Sequence, residues 1–489
     1  ALQRRFDHLQ ATLLSLLEHC LSGAAVPTVD HYRKILREAY GGRHWLLAFD
    51  VLASTTSLVS TLHELGALDL CVIGASRGTG ATPDPAFASQ QHELGVTGAT
   101  MMDGIRQALR ALADVPPSVQ AAVDAWDPTG EVRAIGTLFD PGTPVAGRRK
   151  YGARRPEWCA LEDKIAIEAL WAELDVPRAP HRVVPAEPGA LDQAHRALDR
   201  GLGTVWAGDN REGWHGGAEY TRWVRTGADA ESALAVLGPA CDEVRVMPFI
   251  EGIPCSIHGI VFPDYVVALR PCEMVVLRRT DITGLLYARA STFWDPPPAD
   301  RNTMRALAKR VGAHLRDTLG FRGAFTIDGI LSEEGFVPTE LNPRYGAALG
   351  VMSASLPGLS TLLLNLAVVE GEHLDWQPRA LERLLLAAAD RNRAGSIGAV
   401  TATPRTATET AALVDEGDGW RLAADGEAPH AVARVGPATA GSYCGATFSR
   451  EHTPVGASLA PRAASLLGVL NELWGLGLPP LGPARVVRR

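Results

Sequence analysis

The chain has 489 residues, 46% of them hydrophobic, and a formal net charge of −8. That length suggests about three domains of ordinary size with real cores, and the acidic balance leaves no general basic field for a nucleic-acid partner. No stretch approaches the ~20 apolar residues of a membrane span, and the amino terminus lacks an uninterrupted apolar signal core. The seven cysteines are scattered with no C-x-x-C pair, which argues against a disulfide framework or structural zinc and makes a reducing cytoplasm the expected setting.

In chain order, residues 6–20 carry Leu9, Leu13, Leu16 and Leu17 at helical spacing and predict an N-terminal helix. Trp45 to Asp50 and Leu68 to Gly74 read as buried strands flanking a helix near 56–65, the β-α-β opening of an α/β domain over 1–155. Gly74-Ala75-Ser76-Arg77-Gly78 then satisfies G-x-S-x-G after a strand, the nucleophile-elbow pattern of α/β-hydrolases. An elbow must open directly into a helix, whereas Gly78, Gly80, Pro83 and Pro85 favour a loop. From 156 to 375 helices and strands interleave. Beyond Asp375 the texture turns rich in Ala, Thr and Gly, with short strands predicted near 396–402, 419–424 and 430–435 and a helix near 460–474, a third domain over 376–489.

The most informative run is Glu340-Leu341-Asn342-Pro343-Arg344, preceded by Thr326-Ile327-Asp328-Gly329-Ile330. The apolar stretches Ala324 to Leu331 and Phe336 to Leu341 flank Ser332-Glu333-Glu334-Gly335 and predict two strands joined by a tight turn, which brings Asp328 near Glu340. Strand alternation puts Glu340 and Asn342 on one face, and Pro343 ends the ladder. Two carboxylates and a carboxamide suit hard Mg²⁺ ions and the phosphates they bridge. Arg344 suits a planar grip on phosphate or carboxylate. Taken singly, each of these residues favours an ordinary surface hairpin, and it is the joint pattern that points to a site.

Four other segments carry candidate chemistry. Glu212-Gly213-Trp214-His215-Gly216-Gly217 follows a strand-like Gly203 to Trp206, and its glycines allow successive amides to face phosphate oxygens, though a plain hairpin turn has the same composition. Asp163-Lys164 opens a helix predicted over Ile165 to Leu174. Val246 to Gly252 reads as a strand followed by a turn. Leu269 to Arg279 is a strand region bearing Arg270, Glu273, Arg278 and Arg279, for which exposed charges on an edge strand are the rival reading.

Gly320 to Asp328 followed by Glu340-Leu341-Asn342-Pro343-Arg344 resembles the metal-binding end of ATP-grasp enzymes. The resemblance implies an α/β (α+β) chain: a preceding α/β domain at 1–155, an ATP-grasp core at 156–375 and a small C-terminal cap at 376–489. It further implies that Asp328, Glu340 and Asn342 hold two Mg²⁺ ions on ATP, with Mn²⁺ as a substitute, and that Arg344 contacts the reacting phosphoryl or carboxylate group. Arg270 and Glu273 stand behind Arg344 as catalytic candidates. Lys164 would reach the ATP phosphates, 212–217 would be the glycine-rich loop over ATP, and Met247, Phe249 and Glu251 would line the adenine pocket.

Three departures accompany the match. Residues 203–210 contain no Lys or Arg where most members place a second ATP-contacting lysine, leaving Arg211 or His215 to compensate. Pro254 stands where many members have a ribose-binding glutamate, leaving Glu251 or Ser256. Thr326 replaces the arginine of D-alanine ligases, which disfavours that activity. The layout resembles actinobacterial peptide ligases of the pheganomycin type. The implied reaction joins a small-molecule or peptide carboxylate to an amine through an acyl phosphate, releasing ADP and phosphate, in antibiotic or other natural-product biosynthesis. A nucleotide-binding homologue without catalysis is the alternative prompted by the absent lysine, and a homodimer is the default assembly.

Overall fold

The computed structural model describes residues 27–137, 139, 141–213, 215–417 and 419–484, and the helix predicted over 6–20 lies outside them. The first of three sheets is parallel, in the order β3-β2-β1-β4, from β1 (His44–Val51), β2 (Asp69–Ser76), β3 (Gln90–Glu93) and β4 (Arg133–Gly136). Leu46, Leu47, Ala48, Cys71, Val72 and Ile73 are all buried, because helices cover both faces of a parallel sheet. One face packs on α1 (Val29–Tyr40) and α2 (Thr56–Glu64), the other on α3 (Met101–Ala113) and α4 (Pro117–Trp126). The predicted β-α-β opening is thus β1-α2-β2.

The nucleophile elbow is not formed. Ser76 ends β2 buried, its hydroxyl donating to the Asp50 carbonyl at 3.2 Å and sharing a 2.9 Å hydrogen bond with Thr439. Residues 77–89 contain no helix; instead Thr79 donates to the Pro437 carbonyl at 2.9 Å. The motif is a strand end docked on the C-terminal part of the chain.

The second sheet is antiparallel, in the order β5-β8-β6-β7, from β5 (Arg182–Pro185), β6 (Thr204–Gly208), β7 (Thr221–Val224) and β8 (Glu243–Pro248). It follows the short helix α5 (Ile167–Glu173) and is backed by α6 (Pro188–Leu198) and α7 (Gly227–Ala240). Thr226 and Asp229 form a capping box at the start of α7, satisfying amides that would otherwise lack acceptors. Trp206, Val244 and Val246 pack toward the helices. Alternation therefore turns Val205, Ala207, Arg245 and Met247 to the opposite, open face, with Val205 paired to Met247 and Ala207 to Arg245.

The third sheet has twelve strands, and its main path runs β14-β13-β9-β11-β12-β15-β19-β18-β16-β17. Its elements are β9 (Ile253–Val261), β10 (Val266–Ala268), β11 (Cys272–Arg279), β12 (Leu285–Ser291), α8 (Pro298–Leu319), β13 (Gly323–Ser332), β14 (Gly335–Asn342), α9 (Ala347–Ser353), α10 (Thr361–Glu370), α11 (Pro378–Arg391), β15 (Gly395–Thr401), β16 (Glu409–Asp415), β17 (Trp420–Leu422), β18 (Ala431–Pro437), β19 (Ser442–Phe448), α12 (Ala460–Trp474) and β20 (Leu481–Pro483). Helix α8 ends where Gly320 takes φ 57°, a left-handed turn that glycine adopts without Cβ strain. β12 pairs with β15, so the sheet continues unbroken past residue 375. Among the described residues no helix is long and apolar enough to cross a membrane.

Candidate active site

The hairpin β13–β14 forms as its sequence predicts, with Asp328 opposite Glu340 and Thr326 opposite Asn342. On its other side β13 pairs with β9, placing Ser256 beside Asp328 and His258 beside Thr326. Six polar side chains therefore share one face. Asn342 donates Nδ2 to Asp328 Oδ2 at 2.9 Å and accepts from Arg344 Nη2 on Oδ1 at 3.0 Å, while Ser256 donates to Asp328 Oδ1. These side chains lie in a cleft of about 360 Å³. Burial first and the Glu340 charge second push the Asp328 carboxyl up to about 7, against Ser256, Arg344 and Lys164. A divalent cation would relieve that repulsion, and the oxygens of Asp328, Glu340 and Asn342 fit one whose remaining ligands are phosphate and water.

Cations frame this acidic centre. Lys164 is 6% exposed and its Nζ lies 3.5 Å from Glu340 Oε2. It is held there by Asp163, whose carboxylate accepts from the Ile165 and Ala166 amides at 2.7 and 2.9 Å and from the Asn210 amide at 2.7 Å. The helix predicted from Ile165 begins at Ile167, so Asp163 serves the turn before it. Arg344 Nε lies 3.0 Å from Glu162 Oε2, and Glu162 also pairs with Arg154. Burial opposes ionisation of Glu162, yet Arg344 and Arg154 hold its carboxyl below the usual value.

Gly216 and Gly217 of the glycine-rich loop, with Met247 and Phe249 of the strand and turn after it, line the same cleft. Phe249 stacks on Trp223 with ring centroids 4.0 Å apart, and Arg278 lies over both rings at 5.1 and 5.6 Å. His215 is buried against Tyr220, with ring centroids 4.7 Å apart. Burial and then Lys164 press its imidazole down to about 4, so it is neutral near pH 7. Trp214 lies outside the described residues.

Other predicted residues are turned elsewhere. Glu212 is an exposed partner of Arg211, and neither it nor Gly213 lines the cleft. Arg211 is also bound to Asp242 at 2.9 Å, outside the cleft. The Glu251 carboxylate is gripped by both Nη atoms of Arg278, at 2.8 and 2.6 Å. Arg270 precedes β11 and pairs, buried, with Asp295 and Asp390. Glu273 fails to reach the cleft through alternation. Its neighbour Met274 faces the cleft, whereas Glu273 points to the other side of the sheet, accepting from Ser458 and from the Leu459 and Ala460 amides at 2.7 and 3.3 Å at the start of α12.

The sequence reading missed two residues in the cleft, Arg245 and His258. Arg245 is 2% exposed, and its Nη atoms lie 2.8 Å from Glu168 Oε1 and 2.8 Å from the Thr339 carbonyl. His258 is fully buried, with both ring nitrogens unpartnered among the described residues, and the Thr326 hydroxyl beside it is likewise unpartnered. Burial presses His258 down to about 3, so its ring is a neutral hydrogen-bonding group. Its signal was parity: Ser256 and His258 face the way Asp328 does. For Arg245 the signal was a lone cation between Val244 and Val246.

No protein-family model matches the sequence, and no curated protein matches it. Solved structures do. The biotin carboxylase domain dimer of Hydrogenobacter thermophilus 2-oxoglutarate carboxylase, in complex with MgADP, ADP and bicarbonate, superposes with a TM-score of 0.51 at 13% identity, over 90% of this chain and 91% of that one. A biotin carboxylase–β,γ-ATP complex from Campylobacter jejuni gives 0.51 at 13% over 84% and 88%. Rhizobium etli pyruvate carboxylase, with acetyl coenzyme A, gives 0.53 at 15% over 83% of this chain and 36% of that one. With a cleft between a small antiparallel sheet and a large one, behind a parallel N-terminal sheet, this chain has the ATP-grasp fold.

Proposed function

We propose that the chain is an ATP-dependent ligase that joins a carboxylate to an amine. One observation carries the reading: Asp328, Glu340, Asn342, Lys164 and Arg344 converge in a single cleft bordered by the glycines of the 212–217 loop. Asp328, Glu340 and Asn342 would hold two Mg²⁺ ions, or Mn²⁺ in their place, and Lys164 would meet the phosphates. The ions supply charge neutralisation on the transferring phosphoryl group.

Around that centre the chain's own groups have distinct tasks. Met247 and Phe249 border the nucleotide end of the cleft. Arg344, oriented by Glu162, is aimed at the oxyanion that develops as the acid attacks phosphorus. The products of that step are ADP and an acyl phosphate, which the amine then opens with release of phosphate. Gly216 and Gly217 let the loop approach closely and exclude water from an intermediate that water would destroy. The unpartnered His258 and Thr326 lie two register positions from Asp328, the next pair on the same face, which supports the acid binding at that end.

In the finer form of the proposal, 1–155 contributes to substrate binding, 156–375 holds nucleotide and metal, 376–489 caps the cleft, and the product is a peptide made in natural-product biosynthesis. The sequence layout shared with pheganomycin-type ligases supports it. The test is incubation with Mg²⁺-ATP, mixed acids and mixed amines, followed by mass spectrometry. ADP with a new amide is expected, and AMP would point away from an acyl phosphate. The second reading, a nucleotide-binding homologue without catalysis, is favoured by Ala207 standing where no cation projects from β6. It predicts bound ATP and no ADP.

A further inference from the structure

Lys164 and Arg245 approach adjacent residues of β14 from different elements. Lys164 lies on Glu340, and Arg245 donates to the carbonyl of Thr339, the residue before it. Both side chains line the cleft and both are buried. On β6 the residue facing this space is Ala207, which has no charge to offer, and its register partner on β8 is Arg245. A guanidinium carries five N–H donors. The two contacts from Arg245 Nη atoms leave others, and its Nε has no partner among the described residues.

Glu168 determines how that cation is held. It sits on α5, 13% exposed, with Arg245 at 2.8 Å, Arg178 at 2.8 Å and His181 at 3.3 Å. One carboxylate thus faces two arginines and a histidine, so the cluster carries a surplus of positive charge next to the phosphate end of the cleft. Burial makes that surplus costly unless an anion answers it.

We propose that Arg245 is a phosphate-binding cation of the nucleotide site, reaching across from β8 to the space that Ala207 leaves open on β6. The inference rests on the proposed ATP site. It explains how a cleft with no Lys or Arg on β6 neutralises a triphosphate: Lys164 acts from one wall and Arg245 from the other, with Glu168 keeping the guanidinium oriented.

The test compares MgATP, MgADP and adenosine binding by calorimetry in the wild type, Arg245→Lys, Glu168→Gln and the double variant Glu168→Gln/Arg245→Gln. The double variant avoids leaving a buried carboxylate short of its partner, so its reference is Glu168→Gln. Relative to that reference it should lose about 30-fold in MgATP affinity, the range of a hydrogen bond to a charged group. Adenosine affinity should stay within about twofold, since adenosine has no phosphate. Arg245→Lys should retain MgATP within about fivefold by keeping the charge. Equal MgATP affinity in the double variant and its reference overturns the proposal, as does a parallel loss of adenosine, which would mark a structural ion pair. A wild type that binds adenosine and MgATP equally overturns it too. A wild type that binds none of the three overturns the ATP site itself and is thereby told apart.

Discussion

Two carboxyl groups stand on opposite faces of the large sheet, and desolvation pushes both up to about 7: Asp328, half-buried in the cleft, and Glu273, buried beneath α12. Their surroundings separate them. Asp328 faces a second carboxylate, Glu340, across a hairpin, with Lys164 and Arg344 nearby and open space beyond. Among the described residues the Glu273 carboxylate accepts from the Ser458 hydroxyl and two amides at the start of a helix. A perturbed carboxyl alone therefore does not mark a site. What marks it is an unresolved charge problem beside a space where a ligand can resolve it.

The comparison is tested most severely by replacing the charge on each side. Glu340→Gln should keep the fold and lower Mg²⁺-ATP turnover by about 10²-fold or more, at least ~2.7 kcal/mol of transition-state stabilisation. Turnover near wild type in a steady-state ADP assay would remove Glu340 from the proposed metal site. Glu273→Ala should do the converse. Two amides and a hydroxyl lose their acceptor at the start of α12, costing about 1–3 kcal/mol of stability, visible as a lower Tm with MgADP affinity unchanged.

The pH dependence separates the pair without removing either. Each carboxyl is raised to about 7 from ordinary values of 3.8 and 4.5. The folded chain therefore holds protons that the unfolded chain has lost. Their stabilising contribution is complete below about pH 4 and declines as pH rises through 7. Ligand-free protein should lose stability over that window. Each single variant, Asp328→Asn or Glu273→Gln, should shed about one proton's share of the slope, roughly 1.4 kcal/mol per pH unit. Added Mg²⁺ and ADP should flatten the Asp328 share alone, since a cation there replaces the proton. Thermal melts from pH 4.5 to 8 with and without MgADP measure both. If MgADP changes the slope equally in the two variants, the distinction fails.

The hairpin was legible in the sequence because everything it needs is local. A tight turn, two apolar runs and period-two spacing fix Asp328, Glu340 and Asn342 on one face before any other strand is considered. Lys164 came from the resemblance of Asp163-Lys164 to ATP-grasp enzymes, since locally a solvated helix lysine reads the same way. Glu273 and Arg270 were not, because the face of a strand region is settled by its neighbours. Only the register of Cys272 with Ser256 shows that Glu273 points away from the cleft. Arg245 escaped because its meaning lies in Glu168, 77 positions away, and in the absence of a charge on Ala207. Strands β16 and β19 escaped because Glu409-Thr-Ala-Ala and Ser442-Tyr-Cys-Gly-Ala-Thr are small-residue runs that read as loop until β18 pairs with both.

The smallest expected effect concerns the loop rather than the acidic centre. Arg106 on α3 grips the Glu219 carboxylate with both Nη atoms, at 2.9 and 2.5 Å, and Glu219 lies two residues beyond Gly217. A Cβ at Gly217 would stand 2.5 Å from the Met101 Cε of the same helix. The N-terminal α/β region thus clasps the end of the loop that borders the cleft. The two side chains are 28% and 21% exposed, so solvent screening limits the pair to about 1 kcal/mol. Arg106→Gln should therefore open the loop about fivefold more often and speed release of a fluorescent ADP analogue by a similar factor in stopped flow. Because only a surface clasp is lost, Tm should barely move. That is the reverse of Glu273→Ala, where Tm falls and release is unchanged. Should Arg106→Gln lower Tm as Glu273→Ala does while leaving release alone, the contact is part of the scaffold and the loop is held by other means.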